Sequence, residues 1–258
     1  MTSRPGHAER VNGAEVRIDF AAELWLFLAS RDRGRQLRLV HDGTSSLGHV
    51  IESLGVPLPE VGRLVANGRE VEPAYRPGDG DIVWVPSMPR PQGLPFTPPR
   101  FVLDVHLGTL SRRLRLVGVD TAYRNDLDDD ALIAQANLER RVLLTQDRGL
   151  LHRRKLWLGA YVRGALPDEQ FGDVLDRFAP PLAPWSRCTA CNGPLSPVGK
   201  DEVEQFLQPG TRRSYDAFTR CRACGHVYWR GAHHRRLEAI VAAATQTDSG
   251  TSRHSDRS

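Results

Sequence analysis

Lysine is nearly missing from this 258-residue sequence: of 35 basic residues, only Lys155 and Lys200 are not arginine. Codon usage alone can produce such a bias, so it identifies no partner by itself. Long apolar runs are also missing. No stretch approaches the roughly 18 residues that a membrane-spanning helix needs. The opening residues, MTSRPGHAERVNG, lack the apolar core of a secretory signal, so a soluble, cytoplasmic location is expected. Cysteine is scarce. Four cysteines fall in two pairs. In a chain of this length without an export signal, that usage favours metal binding over disulfides. No internal repeat interrupts the reading.

The composition that remains is that of a folded protein, with 40% hydrophobic residues and a net charge of +4. The charge is uneven: residues 186–236 carry nine basic and four acidic side chains. A basic module beside a neutral one suits a nucleic-acid grip. Two proline-rich joints divide the chain. The first holds prolines 86, 89, 91, 95, 98 and 99, and reads as an extended linker over 88–99. The second, Pro180, Pro181 and Pro184, precedes the first cysteine. The end, 245–258, is polar and without apolar periodicity, so disorder is expected there.

Residues 14–87 read as a small β-rich domain. Val16, Ile18 and Phe20 alternate with polar residues as in a half-buried strand. Leu37 and Leu39 suggest a second strand. The stretch Asp42 to Ser46 offers caps for a short helix carrying Leu47, Val50, Ile51 and Leu54. Asn67-Gly68 marks a hairpin, and Asp81 to Val85 a last strand. Two strands, a helix, a hairpin and a strand give a β-grasp order.

Residues 100–180 alternate strand and helix signals, the pattern of an α/β domain with a parallel sheet. Asp104 follows the strand Phe101-Val102-Leu103, and Asp147 follows the strand Arg141 to Thr145. Ligands of open α/β sheets bind outside the carboxyl ends of strands. Asp104 and Asp147 are therefore candidates for one site, and the acidic run from Asp126 to Asp130 could add a third carboxylate. Such a cluster needs a cation to offset its repulsion, and oxygen ligands favour Mg²⁺ or Mn²⁺. Each acid has an ordinary structural alternative as a turn residue or a helix N-terminus. Thr145 has one as a loop cap.

Cys188-x-x-Cys191 and Cys221-x-x-Cys224 form two knuckles able to complete a tetrahedron around structural zinc. The long gap between them predicts a hairpin insertion over 195–219. Tyr228 and Trp229 suit either base stacking or a mini-core, and Arg230, Arg235 and Arg236 suit phosphate contacts.

The segments IESLGVPLPEVGRLVANGREV and DGDIVWVP resemble the ubiquitin-like domains found ahead of one nuclease family. FVLDVHLGTLSRRLRLVGVDTAYRNDLDDDALIAQANLERRVLLTQDRGL resembles the PIN-like domain of that family, the Mut-seven C-terminal RNases, and CRACGHVYWRGAHHRRLE resembles its ending. The resemblance implies three parts: a ubiquitin-like β-grasp domain over 14–87, a PIN-like nuclease domain over 100–180 and a zinc ribbon over 185–236. It implies a ribonuclease using Mg²⁺ or Mn²⁺ at Asp104, Asp128 and Asp147, with Asp129 and Asp130 as further candidates. RNA is the implied partner, with a protein partner for the first domain. The family's Thr-Arg-Asp motif falls on Thr145, Gln146 and Asp147, so its arginine is replaced, and Arg113 stands where a tryptophan is common. The alternatives are an inactive nucleic-acid-binding module and a protein-interaction scaffold.

Overall fold

A computed structural model describes residues 14–229 and 234–251. The chain divides into two units, the first ending at Met88 and the second beginning at Pro89.

In the first unit, strand β1 (Ala14–Phe20) pairs antiparallel with β2 (Leu37–His41). Ser46 accepts a hydrogen bond from the His49 backbone N–H and so begins helix α1 (Leu47–Ser53). Strands β3 (Leu64–Ala66) and β4 (Arg69–Val71) flank Asn67 and Gly68. Both turn residues have positive φ, 50° and 76°, as a two-residue hairpin turn requires. Strand β5 (Ile82–Val85) lies between β1 and β3, giving the order β2-β1-β5-β3-β4 with β1 and β5 parallel. This is the predicted β-grasp arrangement. Val16, Ile18, Val83 and Val85 are fully buried, as are Leu47 and Ile51 of α1. The last strand starts one residue later than predicted, because Asp81 clamps the preceding turn. Its carboxylate accepts from the Asn67 amide, the Tyr75 hydroxyl and the Gly78 N–H.

The segment expected as an extended linker over 88–99 is packed against the domain that follows. Every second side chain turns inward. Arg90 pairs with Asp173 and Asp176, Gln92 is buried on Arg177, and Leu94 and Phe96 pack on the core. Prolines extend the backbone beforehand, so little conformational entropy is lost when the segment docks.

Strands β6 (Arg100–Leu103), β7 (Asp120–Tyr123), β8 (Val142–Thr145) and β9 (Gly159–Tyr161) form a parallel sheet in the order β7-β6-β8-β9. Its central strands, β6 and β8, are buried on both faces, as parallel strands require. Phe101, Leu103 and Leu144 belong to the core shared with helices α2 (Gly108–Leu116) and α5 (Pro167–Phe178). Val102 and Leu143 pack with α3 (Asp129–Leu138), joined by Leu150 of α4 (Arg148–Leu151).

A second sheet follows: β10 (Leu195–Val198), β11 (Phe218–Cys221) and β12 (Val227–Trp229), in that order and antiparallel. The insertion predicted as a hairpin is helical between its two strands. It carries α6 (Lys200–Val203) and α7 (Pro209–Ser214), with Val203 and Leu207 packed on Phe218. Gly199 and Gln208 have extended backbones that start these short helices, the second with proline at its first position. Helix α8 (His234–Thr251) packs Ile240, Val241 and Ala244 on the core around α2 and α5. Residues 245–251, expected to be disordered, are the end of this helix. The Ala242 to Ala244 run has high helix propensity and anchors it. No described helix is long and apolar enough to cross a membrane.

Candidate active site and metal centre

The order in which strands are added reverses between β6 and β8, since β7 and β9 lie on opposite sides of that parallel pair. Leu103 is in register with Leu144, so Asp104 and Thr145 stand side by side at the carboxyl ends. The Asp104 side chain is nearly buried, at 7% exposure. One oxygen, Oδ1, accepts the Val105 N–H at 2.6 Å, and Oδ2 accepts the Thr145 hydroxyl at 2.7 Å. Thr145 Oγ1 in turn accepts the Asp147 N–H at 2.8 Å. A fully buried hydroxyl therefore links the Asp104 carboxylate to the Asp147 backbone, while the Asp147 side chain is exposed and caps Gly149.

Two further groups frame this point. The Tyr123 hydroxyl at the end of β7 donates to the Val105 carbonyl at 2.8 Å. It can lie there only because residue 108 is glycine, since a Cβ would sit 2.7 Å from that hydroxyl. Gln146 does not project from the site as a cation would. Its amide donates to the carbonyls of Val162 and Gly164 and ties down the exit of β9. Thr145 and Tyr123 are absent from the predicted site. The readable signal for Thr145 was a hydroxyl at a strand end, two residues before an acid.

The acidic run is less tightly placed. Asp128 caps α3 by accepting the Ala131 N–H at 2.8 Å, Asp130 pairs with Arg153, and Asp126 pairs with Arg124. Asp128, Asp129 and Asp130 are all exposed. Among the described residues, the carboxylates of Asp104, Asp128 and Asp147 do not converge to within 4.8 Å of one another. The one group of three or more metal-ligating side chains that does is Cys188, Cys191, Cys221 and Cys224.

In that group the Sγ atoms of Cys188 and Cys224 lie 3.7 Å apart, and those of Cys191 and Cys221 3.4 Å apart. A zinc tetrahedron with bonds of about 2.3 Å has sulfur–sulfur edges of about 3.8 Å. Disulfides would bring the atoms to about 2.05 Å. The four thiols therefore fit a tetrahedral metal. Each knuckle turns through a left-handed residue, Asn192 at φ 71° and Gly225 at φ 76°. Gly193 is obligatory, because a Cβ there would lie 2.9 Å from Cys221 Sγ and 2.7 Å from the Ala223 Cβ. Burial raises the Cys188 thiol, but hydrogen bonds from Tyr228 and from the Cys191 and Ala190 backbone outweigh it and bring it to about 7. Burial pushes the neighbouring Cys191 up to about 12. The Tyr228 hydroxyl contacts Cys188 Sγ and Thr189 Oγ1, which ties this half-buried residue to the first knuckle. Trp229 is 41% exposed. Arg230 and the side chains of Arg235 and Arg236, in the first turn of α8, lie outside the described residues.

The first knuckle is docked on the start of edge strand β7, at the end of the sheet away from Asp104. Arg115, buried in α2, donates to the carbonyls of Thr121, Thr189 and Ala190 at 2.8–3.0 Å. Asp120 accepts from Arg141 and from the Asn192 amide, with Arg187 nearby. Burial raises the Asp120 carboxyl, yet these partners hold it below its ordinary value. At Gly118 two backbone segments meet so closely that a Cβ would lie 2.1 Å from the Ala183 carbonyl oxygen.

Residues 99–241, more than half of the chain, match the family model described as Mut7-C RNAse domain. The chain belongs to the Mut7-C RNAse family. Residues 13–92 match the model described as Mut7-C ubiquitin, in agreement with the β-grasp order of the first unit. No curated protein matches the chain. No solved structure matches it either.

Proposed function

We propose that this Mut7-C RNAse protein hydrolyses RNA phosphodiester bonds with a divalent cation held by Asp104 and Asp147. The observation that carries the reading is the hydrogen-bonded chain from Asp104 through Thr145 to Asp147 at the switch point of the parallel sheet. The donor set fits a hard cation. Mg²⁺ and Mn²⁺ accept one or two carboxylates and complete their shell with water and substrate phosphate. Asp128 is the third acid of the assignment, at the entrance to α3, with Asp129 and Asp130 as neighbours. When bound, the cation supplies charge neutralisation and Lewis-acid activation of water toward the phosphodiester. The protein's own part is orientation. Thr145 fixes the Asp104 carboxylate so that it need not reorganise as charge develops. The four cysteines would hold zinc with a closed coordination sphere, a structural role. RNA contacts from the ribbon would come from Trp229, Arg230, Arg235 and Arg236. The first unit is assigned a protein partner, supported by Val40, Ile82 and Trp84 exposed on its sheet.

A second reading, a nucleic-acid-binding module with idle carboxylates, is favoured by the failure of the three acids to converge. Cleavage separates the two. Zinc-loaded full chain is incubated with labelled single-stranded RNA in Mn²⁺, in Mg²⁺ and without either. Metal-dependent cleavage by wild type, lost in Asp104→Asn with zinc and fold retained, is the expected result. Undiminished cleavage by the variant removes Asp104 from the mechanism.

A further inference from the structure

At the amino end of the parallel sheet, away from the carboxylates, a second set of side chains gathers. Arg100 opens β6, Arg140 precedes β8, and Trp157 precedes β9. The Phe96 and Trp157 rings have centroids 6.0 Å apart, and the Arg100 guanidinium lies over Phe96 at 5.4 Å. Arg100 also donates to the Arg140 carbonyl at 3.1 Å. Asn137 fixes the other side, donating to the Lys155 carbonyl at 2.6 Å and accepting the Trp157 N–H at 2.9 Å. Arg154 adjoins Lys155, and both are exposed. None of Arg100, Arg140, Arg154 or Lys155 forms an ion pair among the described residues. Nearby cations that are paired, Arg141 and Arg153, point to their own acids. Trp157 remains 47% exposed.

From this juxtaposition we infer that Phe96, Arg100, Arg140, Arg154, Lys155 and Trp157 form a binding platform for single-stranded RNA, remote from the cleavage site. Unpaired cations offset phosphate charge, and an exposed ring in tilted contact with a second ring offers a face to an unstacked base. An acidic protein would use the cations but not the tryptophan face. The platform rests on the proposed ribonuclease reading for its substrate, and it deepens that reading. It lies about 13 Å along β6 from Asp104, at about 3.3 Å per residue. A strand that engages both must therefore be several nucleotides long. The docked proline-rich segment then has a use, since it supplies Phe96.

The test is binding, which does not depend on cleavage. Anisotropy of a labelled single-stranded 20-nucleotide RNA is measured on the full zinc-loaded chain in the Asp104→Asn background, with RNA integrity checked on a gel. Trp157→Ala is expected to weaken binding about 5- to 150-fold, the range of a lost base stack, and Trp157→Phe to restore most of it. Arg154→Ala with Lys155→Ala should lower the salt slope of log K by about 1.4, at about 0.7 per phosphate contact. A duplex of the same length should not respond to Trp157→Ala. Single-strand affinity and salt slope unchanged in both variants, with the fold intact by circular dichroism, would overturn the platform and leave the nuclease reading standing. Platform-dependent binding by a wild type that cleaves nothing would do the reverse.

Discussion

Thr145→Val removes one hydroxyl and almost no volume, so it isolates the bridge between Asp104 and Asp147. In the native chain the hydroxyl donates to a carboxylate at 2.7 Å and accepts a backbone N–H at 2.8 Å, in a fully buried position. A hydrogen bond to a charged group contributes about 1.5–3 kcal/mol, and a neutral one about 1 kcal/mol. Asp104 keeps its bond from the Val105 N–H, and its slight exposure admits some water. The lower part of that range is therefore expected, roughly 2–3 kcal/mol in all. For a unit of this size that is a fall of roughly 4–12 °C in melting temperature. Thr145→Ser keeps both bonds and loses one buried methyl, about 1 kcal/mol. The assay is thermal and urea unfolding of the second unit's transition by near-UV circular dichroism, with Mn²⁺ affinity measured alongside. Equal stability of the valine variant and wild type would refute the argument, as would a serine variant as weak as the valine one.

Gly193→Ala should abolish stoichiometric zinc by elemental analysis, since its Cβ would lie within 2.9 Å of Cys221 Sγ. Arg115→Met leaves the carbonyls of Thr121, Thr189 and Ala190 without their donor. It should speed zinc release to a chromogenic chelator several-fold, and Arg115→Lys should not rescue it because a point charge cannot span three carbonyls. Asp120 sets an acid limit on the docking of the ribbon. Its carboxyl is depressed in the fold, so its contribution is full above the ordinary value of 3.8 and lost as pH falls through the folded value. Melting temperature followed from pH 6 to pH 2 should therefore fall more steeply in wild type than in Asp120→Asn.

Much of this fold could be read from pattern alone. Alternation placed β1, Asn67-Gly68 placed its hairpin, and strand-end acids placed Asp104 and Asp147 at the switch point. What pattern could not reveal were partners distant in sequence. The segment SRRLRL contains three arginines, and nothing local distinguishes Arg115, buried on the zinc knuckle, from Arg112. The proline-rich segment looked like a linker because prolines dominate it, while its inward residues, Arg90, Gln92, Leu94 and Phe96, alternate at the spacing of a docked extended chain. Asn192 looked like a turn residue and is also a cross-brace, with its amide bonded to Thr121 and Asp120. The polar end of α8 masked the helix that Ala244 anchors in the core.

The central claim is that Asp104 and Asp147 act as one unit in RNA cleavage. It is tested most directly by single-turnover cleavage rates of wild type, Asp104→Asn, Asp147→Asn and the double variant, all zinc-loaded and in Mn²⁺. Residues that share one cation are strongly non-additive. Each single variant is predicted to lose about 100-fold or more, with the double variant no slower than the worse single, a pattern of the kind seen when catalytic groups act together. Losses that multiply in the double variant, or a wild-type rate in Asp104→Asn, would contradict it.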